Sequence, residues 1–469
     1  MTTDCSGQRF VFQGPARREM VAAFDGGQIS SDGGLPLLRE VDVRRRILER
    51  FAECFHDSRA GGQVEHSVVD LVRQRVYALA AGYEDLNDHD ELRSDPLLAA
   101  AVGKSDPTGA ARSRERDRGK PLAGKSTLNR LEWGEAGSAG VDRYRRIAVD
   151  SAAVDRFFVE VFLDAHEEPP EEIVLDLDAT DDPLHGTQEG RFFHGYYGCY
   201  CYLPLYIFCG RHLLCARLRR SNIDASAGSV EELERIVAQI RETWPQVRII
   251  VRGDGGFARE ALMSWCEEHA VDYVFGLARN GRLQAALEPA FERAEALCAA
   301  SGEPERVYDE WMHSTLDSWS RERRVVGKAE ITLRGENPRF VVTSLELDRQ
   351  AVYEQIYCAR GDMENRIKEQ QLQLFATRTS GRLMRVNQIR LWLSSVAYLL
   401  LDELRRVALT GTALATAYCS TLRLKLLKIG ARIRVTARKV WVSLASSYPH
   451  QELFAHAYAA LQRAGPAPA

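Results

Sequence analysis

The stretch from Glu171 to Leu277 restricts the fold of this 469-residue chain more than any other. It opens with three apolar runs of strand-like period, IVLDLDAT, CYLPLYIF and HLLCARL. Two segments of helical period then alternate with the strand-like runs VRIIV and DYVFGL. The predicted order is strand, strand, strand, helix, strand, helix, strand. We therefore predict an α+β protein with a mixed β-sheet flanked by helices.

Two local features support this assignment. The short segment Gly210–His212 separates two strand-like runs and predicts a tight turn between paired strands. The first helical segment begins with Ser229 and Glu232 at the spacing of a capping box, which predicts its first turn. Its apolar positions fall on one face and predict packing against the sheet: Val230, Leu233, Ile236, Val237 and Ile240.

The chain is too long for a single hydrophobic core, and its length corresponds to about three domains. Gly103–Lys120 is poor in apolar residues and is predicted to be an exposed loop. The predicted organisation is a helical region, a first sheet-containing part, an inserted subdomain with a β-hairpin near Gly335, a second helical part of the core, and a basic, helical C-terminal region. These regions are residues 1–165, 166–279, 280–347, 348–403 and 404–469, respectively.

The composition is that of an ordinary globular protein, with 45% hydrophobic and 27% charged residues. No apolar run approaches the roughly 20 residues of a membrane span, and the first residues lack the pattern of a signal peptide. We therefore expect a cytoplasmic protein whose ten cysteines are reduced thiols. Cys199, Cys201, Cys209 and Cys215 do not have the spacing of a zinc site and are expected to be core thiols.

Positive charge is concentrated near the end of the chain, although the net charge is −4. No acidic residue occurs between Leu404 and Gln451. This basic window contains Arg405, Arg406, Arg423, Lys425, Lys428, Arg432, Arg434, Arg438 and Lys439. Such a stretch is typical of proteins that contact phosphates, and a solvated basic face is the alternative that charge alone leaves open.

Acidic residues occupy particular places in the predicted fold. Asp176 and Asp178 lie two residues apart on the first strand and therefore point to one face of the sheet. Asp254 follows the fourth strand in a glycine-rich bend, and Glu364 lies on a later helix. Carboxylates so placed can hold two magnesium ions about 4 Å apart for phosphoryl transfer. Taken singly, each acid has a simpler explanation, as a turn residue or half of a surface ion pair.

A phosphate-loop pattern, Gly-x-x-x-x-Gly-Lys-Ser, occurs at Gly119–Ser126. A working phosphate loop follows a buried strand, whereas the preceding residues SRERDR cannot form one. ATP binding at Lys125 is therefore a minor alternative, and the segment is expected to open a helix near DNA.

The acidic segments resemble those of DDE transposases of bacterial insertion sequences, in the group with a Tyr-x-x-Arg-x-x-x-Glu signature. Tyr357, Arg360 and Glu364 match that signature in IYCARGDMENRIKEQQ. Asp178-Ala179-Thr180 matches the Asp-x-Thr context of the first acid, and RIIVRGDGGF around Asp254 matches the second. A looser similarity runs from about residue 24 to residue 400.

The resemblance implies an RNase H-like catalytic core, interrupted by the insertion, whose acids Asp178, Asp254 and Glu364 bind two Mg²⁺ ions, with Mn²⁺ as a substitute. Asp176 is a possible additional acid. Tyr357, Arg360 and Lys368 would contact DNA, and Lys368 would replace the signature lysine whose position holds Gln371. In the basic window, the DNA-contacting residues would be Arg432, Arg434 and Arg438.

The implied activity is metal-dependent cleavage at transposon ends followed by strand transfer into target DNA, with excision through a hairpin at the transposon end. Residues 1–165 would recognise the ends, and a homodimer would bridge two ends in the bacterial nucleoid. The alternative is a catalytically silent, transposase-derived DNA-binding protein. Acids at all three positions favour the enzyme.

Overall fold

The computed structural model describes residues 8–134, 146–333 and 335–464. Its helices are α1 (Leu35–Arg45), α2 (Ile47–Glu53), α3 (Val68–Ala81), α4 (His89–Leu92), α5 (Pro96–Val102), α6 (Lys125–Trp133), α7 (Ser151–Asp164), α8 (Ser229–Thr243), α9 (Glu260–Glu268), α10 (Gly281–Ser301), α11 (Arg349–Ala351), α12 (Gly361–Lys368), α13 (Met384–Ala408), α14 (Cys419–Leu422) and α15 (Gln451–Arg463).

The strands are β1 (Phe10–Gln13), β2 (Glu19–Ala22), β3 (Ile29–Ser30), β4 (Phe55–Asp57), β5 (Ile147–Val149), β6 (Glu172–Ala179), β7 (Asp182–Pro183), β8 (Phe192–His194), β9 (Cys199–Tyr202), β10 (Leu205–Cys209), β11 (His212–Arg217), β12 (Arg248–Gly253), β13 (Asp272–Leu277), β14 (Glu305–His313), β15 (Arg323–Thr332), β16 (Gly335–Glu336), β17 (Arg339–Thr343), β18 (Ala431–Val435) and β19 (Val440–Leu444).

Two units make up the chain. Leaving aside the last two residues, the first unit combines Met1–Ala148 with Val396–Ala467, and the second is Val149–Ser395. Helix α7, which the sequence groups with the N-terminal helical region, packs on β11 and α8 of the second unit. Its apolar side chains Val159 and Phe162 are buried in the same core as the sheet, which accounts for this placement.

A nine-stranded sheet forms the centre of the second unit, in the order β11-β10-β6-β12-β13-β17-β15-β14, with β16 paired to β15. Strand β6 is antiparallel to β10 and parallel to β12, which is parallel to β13. The predicted order of strands and helices from β6 to β13 is confirmed, with the short strands β7, β8 and β9 added after β6. The mixed sheet flanked by helices is therefore confirmed.

The strands of the predicted insertion continue this sheet and do not form a separate one. Strand β17 pairs antiparallel with the open edge of β13, and β15 and β14 follow outward. The predicted hairpin near Gly335 is present, because Gly335 lies at φ +99° where β15 folds back into β16. Main-chain hydrogen bonding along the edge of β13 explains the continuity, which the sequence pattern does not reveal.

The capping box predicted at the start of α8 is wrong. Gly228 is the residue before the helix, at φ +80°, and a glycine has no side chain with which to cap it. Glu232 is instead paired with Arg217 and Arg235. The apolar face of the helix is as predicted, since Leu233 and its neighbours on that face are buried against the sheet.

Between Arg349 and Gln373, helical turns follow one another without a break. Helix α11 leads into a π-helical segment Val352–Tyr357, a 3-10 turn Cys358–Arg360, helix α12 and a second π-helical segment Glu369–Gln373. Residues in π-helical turns often mark functional sites. The helical pattern predicted for these residues is thus confirmed, with an interruption between residues 373 and 384 before α13.

The first unit is mostly helical, and α3 is buried along nearly its whole length. The basic end of the chain contains a β-hairpin, β18–β19, although a helical C-terminal region was predicted. Ala431 and Ile433 are buried while Arg432 and Arg434 are exposed, which is the two-residue alternation of a strand. Strand β3 pairs with β18 and joins both ends of the chain into one sheet.

The helices of the described residues include none that is both long and apolar enough to cross a bilayer.

Candidate active site

The sheet brings two of the predicted acids to the same edge. Asp178 lies near the carboxyl end of β6, and Asp254 directly follows β12. Because β6 and β12 are parallel neighbours, their carboxyl ends meet. Glu364 lies in α12, on the continuous helical segment that follows the sheet strands. The three acids therefore come from the first strand, the fourth strand and the later helix of the predicted layout.

A guanidinium group joins two of these acids. Arg360 places Nη2 at 2.6 Å from Glu364 Oε1 and Nη1 at 3.5 Å from Asp178 Oδ1. The four-residue spacing puts Arg360 and Glu364 on one face of the helix. The two arginine contacts therefore fix the position of Glu364 relative to the end of β6.

The electrostatic environment of Asp178 indicates that the three acids lie close together. Burial raises the pKa of this carboxyl to about 6, Arg360 opposes the rise, and the charges of Asp254 and Glu364 add to it. Like charges held together in a poorly solvated place are expected where a cation is to be bound.

The bend that holds Asp254 depends on small residues. Gly256 donates its backbone N–H to Asp254 Oδ1 at 2.8 Å, which orients the carboxylate. A Cβ at Gly276 on the neighbouring strand would lie 2.5 Å from Tyr357 Oη and 3.0 Å from the backbone nitrogen of Gly255. Tyr357, the first residue of the signature, therefore packs directly against Gly276, which is itself close to the Asp254 bend.

Asp176 shares a strand face with Asp178 but has a different environment. It is buried and forms two hydrogen bonds to Arg252 on β12, at 2.5 and 2.7 Å. Arg252 also donates to the carbonyl oxygen of Ile356, just before Tyr357. This ion pair joins β6 to β12, and Arg252 also ties β12 to the helical segment. The surroundings of Asp176 are therefore those of a structural residue.

Arg252, together with other residues near the acids, was not selected by the sequence reasoning. An arginine inside the apolar run VRIIVRG is expected to be buried and therefore to need an acidic partner. This pattern could have identified Arg252 from the sequence. Tyr197 donates its hydroxyl to the carbonyl of Ala179 at 3.2 Å, beside Asp178. Asp182 is buried, and burial raises its pKa to about 8. Neither of the last two carries a motif that would have identified it.

The other predicted residues are dispersed. Lys368 is exposed one turn beyond Glu364, and Gln371 donates to the carbonyl oxygen of Asp181 at 3.1 Å. In the first unit, Arg432, Arg434 and Arg438 are exposed on or next to the β18–β19 hairpin.

Several cations of the basic window have internal partners, although the sequence suggested that no acid neutralises them. Arg405 is buried beside Asp402, and Lys428 lies 2.7 Å from Asp32. Arg423 donates to the backbone carbonyl of Ala80. The acids that neutralise them lie outside the window in the sequence, so only part of the window faces solvent.

The donor set suits a hard divalent cation. Within the described residues, no three potential ligand side chains form a ready metal site. The oxygen atoms of Asp178, Asp254 and Glu364 are nevertheless the ligand type that Mg²⁺ prefers. The Arg360 guanidinium already contacts two of them, so a positive charge is stabilised at this position. These carboxylates therefore fit a bound metal ion.

The fold and the site define an α+β protein with an acidic cluster at the carboxyl ends of parallel strands. The family model described as "Transposase DDE domain group 1" matches residues 12–466, and the chain belongs to this family of DDE transposases. No curated protein matches the sequence. A solved structure, "Cryo-EM structure of piggyBac transposase synaptic complex with hairpin DNA (SNHP)", is similar at 12% identity and a TM-score of 0.40, covering 85% of this chain and 79% of that one.

Proposed function

We propose that this transposase cleaves DNA strands at transposon ends and joins the freed 3′-hydroxyl to target DNA, with Asp178, Asp254 and Glu364 as catalytic acids. The observation that carries the proposal is the contact of Arg360 with both Asp178 and Glu364. It brings a strand residue and a helix residue, 186 positions apart in the sequence, into one site.

The catalytic core is proposed to be RNase H-like. Such nucleases place an acid on strand one, an acid after strand four and an acid on a downstream helix. Asp178 on β6, Asp254 after β12 and Glu364 on α12 are consistent with that layout, because β6 and β12 are the first and fourth long strands of the sheet in chain order.

The proposed reaction is hydrolysis of one phosphodiester followed by attack of the new 3′-hydroxyl on another. Asp178, Asp254 and Glu364 would hold Mg²⁺, which activates the nucleophile and stabilises the leaving oxygen when bound. Arg360 orients two of the acids, and its charge suits contact with a DNA phosphate. Tyr357 packs from the helix side against Gly276, next to the Asp254 bend.

Double-stranded DNA is the proposed partner, bound as both transposon end and target. A homodimer bridging two ends is part of the proposal. The exposed arginines of the β18–β19 hairpin would contact the DNA backbone. The alternative, a silent DNA-binding derivative, predicts the same DNA affinity without cleavage.

The test is cleavage of a transposon-end duplex by purified full-length protein with Mg²⁺. Asp178→Asn, Asp254→Asn and Glu364→Gln each keep the side-chain shape but remove a ligand charge. Because the metal stabilises charge that develops in the transition state, cleavage is expected to fall by several orders of magnitude while DNA binding persists. Asp362→Asn, an exposed acid two residues before Glu364, is the matched control and should keep activity.

Cleavage that survives Glu364→Gln would exclude the three-carboxylate mechanism. If the wild-type protein binds DNA but never cuts it with Mg²⁺ or Mn²⁺, the silent alternative is the correct one.

A further inference from the structure

The first unit contains a cavity of about 800 Å³ that lies apart in the sequence from the three acids. Nine arginine and lysine side chains and three carboxylates line it within the described residues. Each carboxylate already pairs with a cation of the lining: Glu65 with Arg112, Asp90 with Lys125, and Asp117 with Arg93. The lining therefore has a strongly positive net charge, which attracts an anion.

A buried histidine belongs to the lining of this cavity. His66 is 6% exposed, and Arg112 Nη1 lies 3.3 Å from its Nε2. Because the guanidinium can only donate, Nε2 must accept, and the ring hydrogen of the neutral imidazole then lies on Nδ1. Burial and the nearby cations lower the pKa of His66 to about 3, so the ring is neutral. Nδ1 has no hydrogen-bond partner among the described residues.

The N-terminus of α6 also faces the cavity. Gly124 precedes the helix and offers no side-chain cap, and Lys125, Ser126 and Thr127 belong to the lining. Backbone N–H groups and the helix dipole at such an end favour bound anions. The helix end and the excess of cations are two independent features that point to an anionic ligand.

This segment includes the phosphate-loop pattern, but its surroundings do not suit a nucleotide. A 3-10 turn, Glu115–Asp117, precedes the pattern in place of the buried strand that a phosphate loop requires. Among the residues that the structure describes, the lining includes no aromatic ring on which a base could stack, apart from the His66 imidazole. The cavity is therefore suited to phosphate groups and not to a purine.

We propose that this cavity, from the exposed Arg114 to Lys125, binds consecutive phosphates of the DNA backbone. This proposal rests on the proposed function, because it assumes that the chain acts on DNA. A free phosphate would use only a small part of an 800 Å³ space lined by nine cations, whereas a DNA strand presents a row of phosphates. The interactions made here would not depend on base sequence.

The test compares two double variants of the full-length protein. Arg114→Gln with Lys120→Gln removes two cations of the cavity. Arg17→Gln with Arg118→Gln removes two exposed cations of the same unit that do not line it. Binding to a random-sequence duplex is measured by fluorescence anisotropy from low to physiological salt, without divalent metal, so that the result is independent of catalysis.

The cavity variant is expected to weaken DNA binding and to lower the slope of log Kd against log salt by about 1.8, roughly 0.9 for each phosphate that the variant no longer neutralises. The control variant should keep the wild-type slope. Equal slopes for the two variants would overturn the proposal. Cleavage by Glu364→Gln tests the catalytic function separately. The salt slopes can contradict the cavity proposal while the catalytic proposal holds, and the reverse is also possible.

A second arm separates DNA from small phosphate ligands. ATP and inorganic phosphate are titrated calorimetrically at constant ionic strength, and neither should bind measurably. ATP or phosphate binding that disappears in the cavity variant would overturn the proposal and assign the cavity to a small anion.

Discussion

Asp176 and Asp178 lie two residues apart on one strand, yet their surroundings differ. The sequence predicted that they share a face, because alternation along a strand is local. The sequence could not show which of the two acids has the catalytic role. The Arg252 partner of Asp176 depends on strand pairing, and the Arg360 contact of Asp178 depends on a helix far along the chain.

Asp176→Asn is expected to destabilise the protein and leave its chemistry largely intact. It leaves the buried Arg252 charge without its acid, and breaking a buried pair in this way costs about 3–5 kcal/mol. Chemical denaturation measures the loss of stability, and cleavage is compared with that of Asp178→Asn at a temperature where both are folded. If Asp176→Asn abolishes cleavage in folded protein, the assignment within the strand is wrong.

Asp182 should make stability depend on pH. Its pKa is about 8 in the folded protein and near 4 when unfolded, so the folded state holds an extra proton between these values. The contribution of Asp182 to stability is therefore most favourable below pH 4 and falls as pH rises to 8. Asp182→Asn should match the wild type near pH 4.5 and melt higher at pH 8. Parallel curves of melting temperature against pH would contradict this, with Asp362→Asn as the exposed control.

At the scale of elements, the strands and helices around the acids were predictable because each shows its hydrophobic periodicity within a few adjacent residues. The β18–β19 hairpin was not predicted, because this segment was interpreted by its charge alone. Its alternation of Ala431 and Ile433 with Arg432 and Arg434 is the pattern of a strand. The extension of the sheet past β13 was missed because strand partners are chosen by tertiary contacts.

The hairpin should bind the DNA backbone through its exposed cations. Arg434 lies over the Trp441 ring at 5.4 Å, which holds its charge at the surface. Replacing Arg432, Arg434 and Arg438 with Ala should weaken binding to any duplex and reduce the salt slope by about 0.9 for each phosphate left without its arginine. Anisotropy titrations across salt measure the slope, and an unchanged slope would rule out this surface.

Gly276→Ala should displace the helical segment from the Asp254 bend. The added Cβ would meet Tyr357 Oη at 2.5 Å, and a shift of about 1 Å near a catalytic group can cost roughly 100-fold in rate. Adding Tyr357→Phe removes the clashing oxygen and should restore part of the cleavage rate. No recovery in the double variant would show that the contact with Gly255 dominates instead.

At the scale of the whole molecule, the first unit is built from two distant segments of the chain. Gly33 and Gly34 donate their N–H groups to the carbonyls of Ile429 and Leu427, and β3 pairs with β18. Sequence periodicity identifies each segment but not their association, since such contacts span nearly 400 residues.

A fragment of residues 1–165 should therefore not fold alone, because it lacks the C-terminal segment and exposes the apolar face of α7. Residues 1–148 co-expressed with 396–469 should instead give a soluble, helical complex. Co-purification and circular dichroism measure this outcome. A stable, cooperatively melting 1–165 fragment would show that the first segment is autonomous.

The two-segment unit also has a consequence for protein synthesis. Ribosomes deliver the chain from the N-terminus, so residues 149–395 are complete before the partner of the first 148 residues has been made. A message cut short before codon 396 would then yield a product that carries all three acids and the residues that line the arginine-rich cavity, but not the β18–β19 hairpin. Its unpaired β3 and uncovered N-terminal segment would be substrates for chaperones and proteases, so quality control would remove incomplete copies before they reach DNA.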